Sequence, residues 1–265
     1  MASTTSKDGT HIGYEIHGSG PLLICVAGAT QYRAVDPDET PALARLLAGD
    51  FTVLIYDRRG RGESGDTSPY AVEREIEDIA ALIAANGGTA RLFGMSSGGV
   101  LALEAAAQLG AEIEGLVLYE PPIDPEKSAE AYQRDHAEMA ALGAQGKAEE
   151  MMVSFLGAIM PEEALTDFRN SPAWPAFASV GRSLEYDYRV LAGAREQDTP
   201  PPRWRRIDAP VLVIDGAESF PFMKQGADWV ASGLPHAERR TLAGLDHSYD
   251  PQILAPLITR FFGKV

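Results

Sequence analysis

A serine set between glycines is the first feature of this chain that could do covalent chemistry. Gly94-Met95-Ser96-Ser97-Gly98 fits the pattern G-x-S-x-G, which at a sharp strand-to-helix turn presents a hydroxyl beyond the end of a sheet. The two glycines fall where side chains would clash as helix and strand close on a strained residue. Ser97 is the competing hydroxyl, but taking it as the nucleophile would put Met95 at a small-residue position, so Ser96 is the better candidate. A serine becomes nucleophilic near neutral pH only beside a base, and histidine titrates in that range. Five histidines are present: His11, His17, His136, His236 and His247. His247, in Leu242-Ala243-Gly244-Leu245-Asp246-His247, follows a strand pattern and precedes the last helical one, whereas the other four read as solvated groups. An acid would complete the set by fixing the imidazole tautomer and stabilising its charge. Glu120 and Glu218 both lie at or just past strand ends, and both preserve the order serine, acid, histidine; Asp215 reads as a turn former beside Gly216.

Positioning such groups requires a sheet whose strand ends line up, and the chain alternates short β-like runs with helical patterns. After the Asp8-Gly9 pair, Ile12 to His17 reads as one arm of a hairpin. Leu22 to Ala27 and Phe51 to Tyr56 are continuous apolar runs, as expected of strands covered on both faces. Further strands are expected at Ala90–Gly94, Ile113–Tyr119, Pro210–Asp215 and about Glu238–Leu242. Helices are expected at Pro41–Ala48, Val72–Ala85, Val100–Leu109, about Phe222–Ala231 and Pro251–Phe262. From about Pro121 to Asp208 the alternation stops. That segment holds helical stretches at Ala129–Leu142 and Ala148–Ile159, no convincing strand, and a closing Pro200-Pro201-Pro202 that suits a semi-rigid connector.

With 265 residues, 45% hydrophobic and 23% charged, the chain can bury a core without metals or disulfides. Its formal net charge of −15 opposes binding to nucleic acid or to anionic membrane surfaces. The lone Cys25, set in an apolar run, excludes a disulfide framework and a cysteine-based metal site and fits a reducing compartment. Lacking an apolar leader or a membrane-length apolar stretch, the chain is expected to be soluble and cytoplasmic.

Together these residues resemble the α/β-hydrolase fold superfamily over essentially the whole chain. Besides the serine elbow, Asp57-Arg58-Arg59-Gly60-Arg61-Gly62-Glu63-Ser64-Gly65 is similar to the family's D-x-R-G-x-G-x-S turn. Gly244-Leu245-Asp246-His247 matches its G-x-x-H ending, and Val26-Ala27-Gly28-Ala29 stands in the place of its oxyanion loop. The resemblance implies an α/β class of fold with a mostly parallel central sheet flanked by helices. Its core would span residues 1–121 and 209–265, with an all-helical cap inserted at 122–208. It also assigns the oxyanion-binding N–H groups to Ala29 and Ser97. Two departures stand out. The oxyanion loop begins Ala27-Gly28 where relatives usually have His-Gly, and Ser219 stands where they usually place the acid. A smaller set, including zearalenone-type lactone hydrolases, takes a glutamate from the end of the preceding core strand, which here is Glu120.

The implied activity is hydrolysis of a small-molecule carboxylic ester or lactone by a Ser96-His247-Glu120 triad, with no metal or organic cofactor and no membrane or nucleic-acid partner. Oligomeric state stays open, a homodimer included. Carbon–carbon bond hydrolysis or a cofactor-free cyclase or lyase reaction on the same fold is the near alternative. A ligand-binding receptor or pseudoenzyme is the distant one. The arginines of the Asp57–Gly65 turn are expected to brace loops rather than bind an acidic substrate. Met151, Met152, Phe155, Met160, Trp174, Phe177, Tyr186 and Tyr188 are expected mainly to pack helix on helix within the insertion.

Overall fold

The computed structural model describes residues 2–35 and 38–263. Its strands are β1 (Ala2–Thr5), β2 (His11–His17), β3 (Leu22–Val26), β4 (Thr52–Tyr56), β5 (Ala90–Met95), β6 (Ile113–Tyr119), β7 (Val211–Gly216) and β8 (Ala237–Leu242). They form one sheet in the order β1-β2-β4-β3-β5-β6-β7-β8. The first two pairings, β1 with β2 and β2 with β4, are antiparallel, and from β4 to β8 every pairing is parallel. The carboxyl ends of β3, β5, β6, β7 and β8 therefore share one edge of the sheet, where an α/β fold gathers its ligand-binding loops.

Helices cover both faces. Leu22, Ile24 and Val26 pack with α2 (Val72–Ala85), α3 (Ser97–Leu109) and α9 (Pro221–Ser232), while Leu23 and Cys25 pack with α1 (Thr40–Leu47) and α10 (Pro251–Phe262). That two-sided cover is why β3 is buried at every position instead of alternating. Each buried leucine or isoleucine contributes about 1.5–3 kcal/mol relative to exposure. Helix α10 starts at a defined residue because Asp250 accepts a hydrogen bond from the Gln252 N–H (2.8 Å) and Pro251 opens the first turn.

Between β6 and β7 the chain forms α4 (Ala129–Ala144), α5 (Ala148–Gly157), α6 (Glu162–Arg169), α7 (Trp174–Ser179) and α8 (Leu184–Ala194), with no strand from 122 to 208. Met139, Met151, Met152, Leu156, Leu165, Trp174, Val180 and Leu184 make a separate small core there. Helix α8 also contributes Val190 and Ala194 to the main core, so the insertion is anchored along one of its own helices.

Two features differ from the sequence-based expectation. The hairpin's other arm is β1, a Ser/Thr-rich edge strand held by backbone pairing with no apolar alternation to announce it. The triple proline leads into a 3-10 turn, Pro202–Arg206, that buries Trp204 and ties its Nε1 to Glu104 Oε1 at 3.1 Å, so the connector is docked.

Candidate active site

Only Ser96 separates β5 from α3, at φ +53° and ψ −128°, and its N–H donates to the Tyr119 carbonyl at 2.9 Å. Glycines make this junction possible. A Cβ on Gly98 would lie 2.3 Å from the Val26 carbonyl oxygen, and one on Gly94 would lie 2.6 Å from Gly99 Cα. Ser96 is partly exposed, whereas Ser97 is buried and turns its hydroxyl to the Asp187 carboxylate. Among the described residues the non-glycine positive-φ positions are Thr30 (+64°), Ser96 (+53°) and Glu120 (+47°). They lie just beyond β3, β5 and β6, so backbone strain concentrates on one edge of the sheet, as it does at functional sites.

Glu120 is fully buried. Its N–H donates to the Ile214 carbonyl, its Oε1 accepts from the Gly216 N–H at 2.8 Å, and its Oε2 accepts from the Ser219 hydroxyl at 2.7 Å. The same Oε2 lies 2.7 Å from His247 Nδ1. With Nδ1 donating to the carboxylate, Nε2 is the nitrogen left to receive a proton. To reach Glu120 from beyond β8, the histidine loop must cross the end of β7. Gly216 allows this, since a Cβ there would lie 2.2 Å from the Leu245 carbonyl oxygen. The Tyr119 hydroxyl pins the loop by donating to the Asp246 carbonyl at 2.6 Å.

The second acid candidate falls elsewhere. Glu218 is exposed and gives its backbone N–H to the Leu245 carbonyl. Asp215 is buried under Arg239 and Thr241, which donate to its Oδ1 at 2.7 and 2.9 Å. Ser219, standing where relatives usually place the acid, instead supports Glu120; its position relative to β7 was the one sequence signal for it. Of the other histidines, His11 and His236 are exposed and His17 pairs with Glu15 at 3.0 Å. His136 lies half-buried on α4, held below the ordinary imidazole range by burial and by the Arg189 cation.

The oxyanion candidates adjoin the elbow. A Cβ on Gly28 would approach Ser96 Cβ to 3.0 Å. Ala29 packs against the core of the insertion, and Ser97 opens α3. The loop lacks a histidine, and its polar groups are held from outside. The Gly28 N–H donates to Gln31 Oε1 at 2.8 Å, the Gly28 carbonyl accepts from Arg61 Nη1 at 2.5 Å, and the Ala27 carbonyl accepts from Arg58 Nη1 at 3.2 Å. Arg58, Arg59 and Arg61 are at most 1% exposed. Arg58 is bidentate to Glu75, Arg59 is bidentate to Asp78, and Arg61 pairs with Asp187, so these cations brace the loops, as expected. Burial pushes the Cys25 thiol up to about 12, which leaves it unreactive. Among the described residues no group of three or more His, Cys, Asp or Glu could hold a metal ion, and no helix is long and apolar enough to cross a membrane.

A mostly parallel sheet with a strained serine at one strand end and a carboxylate-bound histidine on the same edge defines an α/β hydrolase. Residues 16–256 match the model of the alpha/beta hydrolase family, and the chain belongs to that family. It is similar to an alpha/beta hydrolase from Sphaerobacter thermophilus DSM 20745, at 40% identity and a TM-score of 0.83 over 98% of this chain and 100% of that one. An esterase from Thermogutta terrifontis shares the fold at 22% identity and a TM-score of 0.72, covering 99% and 98% of the two chains. The uncharacterized hydrolase YraK of Bacillus subtilis is 32% identical over 122 residues, 44% of each chain. The chain spans less than half the length of the curated relatives it matches.

Proposed function

We propose that this hydrolase cleaves a small-molecule carboxylic ester or lactone through an acyl-enzyme, with Ser96 as nucleophile, His247 as base and Glu120 as the orienting acid. The observation that carries this reading is the 2.7 Å contact between His247 Nδ1 and a buried Glu120, on the same sheet edge as the strained Ser96. In the first half-reaction the Ser96 Oγ attacks the carbonyl carbon while His247 Nε2 takes its proton. The resulting oxyanion would be held by the N–H groups of Ala29 and Ser97, each such donor being worth about 3 kcal/mol in the transition state. Collapse breaks the bond to the leaving oxygen, which receives the proton from His247. Water, deprotonated by His247, then attacks the acyl carbon; the bond to Ser96 Oγ breaks, the oxygen takes the proton back from His247, and the acid departs. Residues 122–208 would serve as the cap over this edge, and the contact of Ala29 and Tyr32 with the insertion's apolar core supports that role. A serine nucleophile favours acyl transfer over the halide or epoxide chemistry that uses a carboxylate.

Turnover of p-nitrophenyl acetate by wild type and by Ser96→Ala tests the proposal. The variant is expected to lose at least about 10³-fold in kcat and to resist labelling by a fluorophosphonate that modifies the wild type. Equal turnover in the two proteins overturns it.

A further inference from the structure

Both halves of the proposed oxyanion hole lead to one carboxylate, and it lies outside the sheet. Asp187, on α8, is 2% exposed. Its Oδ1 accepts from the Ser97 hydroxyl at 2.7 Å and from Arg58 Nη1 at 2.6 Å; its Oδ2 accepts from Arg61 Nη2 at 2.5 Å. The same two guanidinium groups reach the carbonyls of Ala27 and Gly28, the residues immediately before Ala29. The Ala29 loop and Ser97 are thus each a single side chain away from Asp187.

The cluster is balanced in charge and fully engaged. Arg58 also binds Glu75 through Nε and Nη2, and Arg61 Nε donates to the Ser183 hydroxyl at 2.9 Å. Burial alone would push the Asp187 carboxyl up, but Arg61, Arg58 and the Ser97 hydroxyl outweigh it and hold it below the usual carboxylate range, so the tether stays charged. A carboxylate present only to neutralise two arginines would need no bond to the residue after the nucleophile. The loop also begins with Ala27, which has no side chain able to brace it.

We infer that Asp187 is a positioning residue. Through the Ser97 hydroxyl and the two guanidinium groups, it sets the spacing between the Ala29 and Ser97 amides, so the seating of α8 decides whether the oxyanion hole is formed. This inference rests on the serine-hydrolase reading. It extends that reading from the residues that react to the helix that aligns them.

The test uses the full chain, p-nitrophenyl acetate as substrate, and two variants. Ser97→Ala removes one strand of the tether and keeps the ion pairs; Asp187→Asn keeps the shape and removes the charge. Expected are a loss of about tenfold in kcat for Ser97→Ala and about a hundredfold for Asp187→Asn, with KM within about twofold in both. The double variant should be no slower than Asp187→Asn alone, because the two groups act as one device. Hydrogen exchange of the amides in 27–31 should run about tenfold faster in Asp187→Asn while those of β5 keep their protection. Unchanged kcat in Ser97→Ala, a rise in KM with kcat kept, or unchanged exchange in 27–31 would each overturn the inference. Should Asp187→Asn fail to fold, the kcat and KM of Ser97→Ala decide it alone. Turnover that survives Ser96→Ala would instead overturn the serine reading, and the exchange comparison, which needs no substrate, would still decide the tether.

Discussion

At the scale of single residues, the acid is the position where chain order alone left two answers. Glu120 and Glu218 both follow strands, and the difference between them is three-dimensional: one carboxylate is enclosed by the Gly216 N–H, the Ser219 hydroxyl and His247 Nδ1, the other is in solvent. Glu120→Gln is therefore expected to lower kcat by about 10³–10⁴-fold, since the amide favours the wrong imidazole tautomer, while Glu218→Gln leaves kcat where it is. Steady-state kinetics on both variants separate the assignments, and a larger loss at Glu218 would reverse them. The geometry permits a sharper expectation. Ser219 Oγ lies 2.7 Å from the same Oε2 that meets His247, so a carboxylate placed on that residue stands within reach of the imidazole. Adding Ser219→Asp to Glu120→Gln should restore at least about tenfold of the lost kcat, and no recovery would mean that the acid must approach from β6. As candidates, Ser96 and His247 were legible because local pattern marks a strand-to-helix elbow and a loop before a final helix. The support from Ser219 was not, because it depends on where two loops meet.

At the scale of elements, the strands and core helices followed from apolar runs and three- to four-residue spacing, with ends displaced by at most three residues. What resisted was pairing without a hydrophobic signature, as in β1, and three helices of the insertion: α6 and α7 are short, and α8 buries Asp187 among its apolar positions, which blurs the pattern. The crossing of the histidine loop over β7 was equally hidden, since a glycine at a strand end has many uses. Its consequence can be measured. Gly216→Ala would drive a methyl group into the carbonyls of Leu245 and Asp246, 2.2 and 2.9 Å from the new Cβ. Because both are backbone atoms, the loop must move. A destabilisation of about 2 kcal/mol or more, a fall of roughly 4–8 °C in thermal midpoint, and a drop in kcat as His247 leaves Glu120 are expected together. Gly193→Ala is the control within a helix. Nothing lies within 4 Å of a Cβ there, and the backbone is helical, so the substitution should raise stability by about 0.5–1 kcal/mol and leave kcat unchanged. A destabilised Gly193→Ala with an unaffected Gly216→Ala would contradict both packing arguments.

At the scale of the whole molecule, most of the net charge of −15 lies on the surface, yet eleven charged side chains among the described residues are inside. Arg58, Arg59, Arg61 and Arg195 are buried alongside Asp57, Glu75, Asp78, Glu104, Glu120, Asp187 and Asp215. Removing one partner of such a pair costs about 3–5 kcal/mol, since it strands the other charge. Acid attacks these pairs from the carboxylate side, and the sign follows from the individual groups. Asp187 and Asp8 are held below the usual carboxylate range. In Asp187, Arg61 and Arg58 outweigh burial; in Asp8, hydrogen bonds from Arg59 and Thr10 do so. A depressed folded pKa adds stability that is complete above the unfolded value of about 3.9 and is lost as pH falls through the folded one. Asp78 runs the other way. Burial raises its pKa despite Arg59, so its contribution weakens as pH rises through the folded value. With the depressed groups dominant, the thermal midpoint should hold between pH 7 and 5 and fall steeply below about pH 4. Asp8→Asn keeps Arg59 bidentate on Asp78 and removes one titrating carboxylate, so its midpoint should fall less between pH 5 and 3 than that of the wild type. Parallel curves for the two proteins would show that the Asp8–Arg59 pair does not drive acid unfolding, and a midpoint that rises on acidification would mean that Asp78 outweighs the depressed groups.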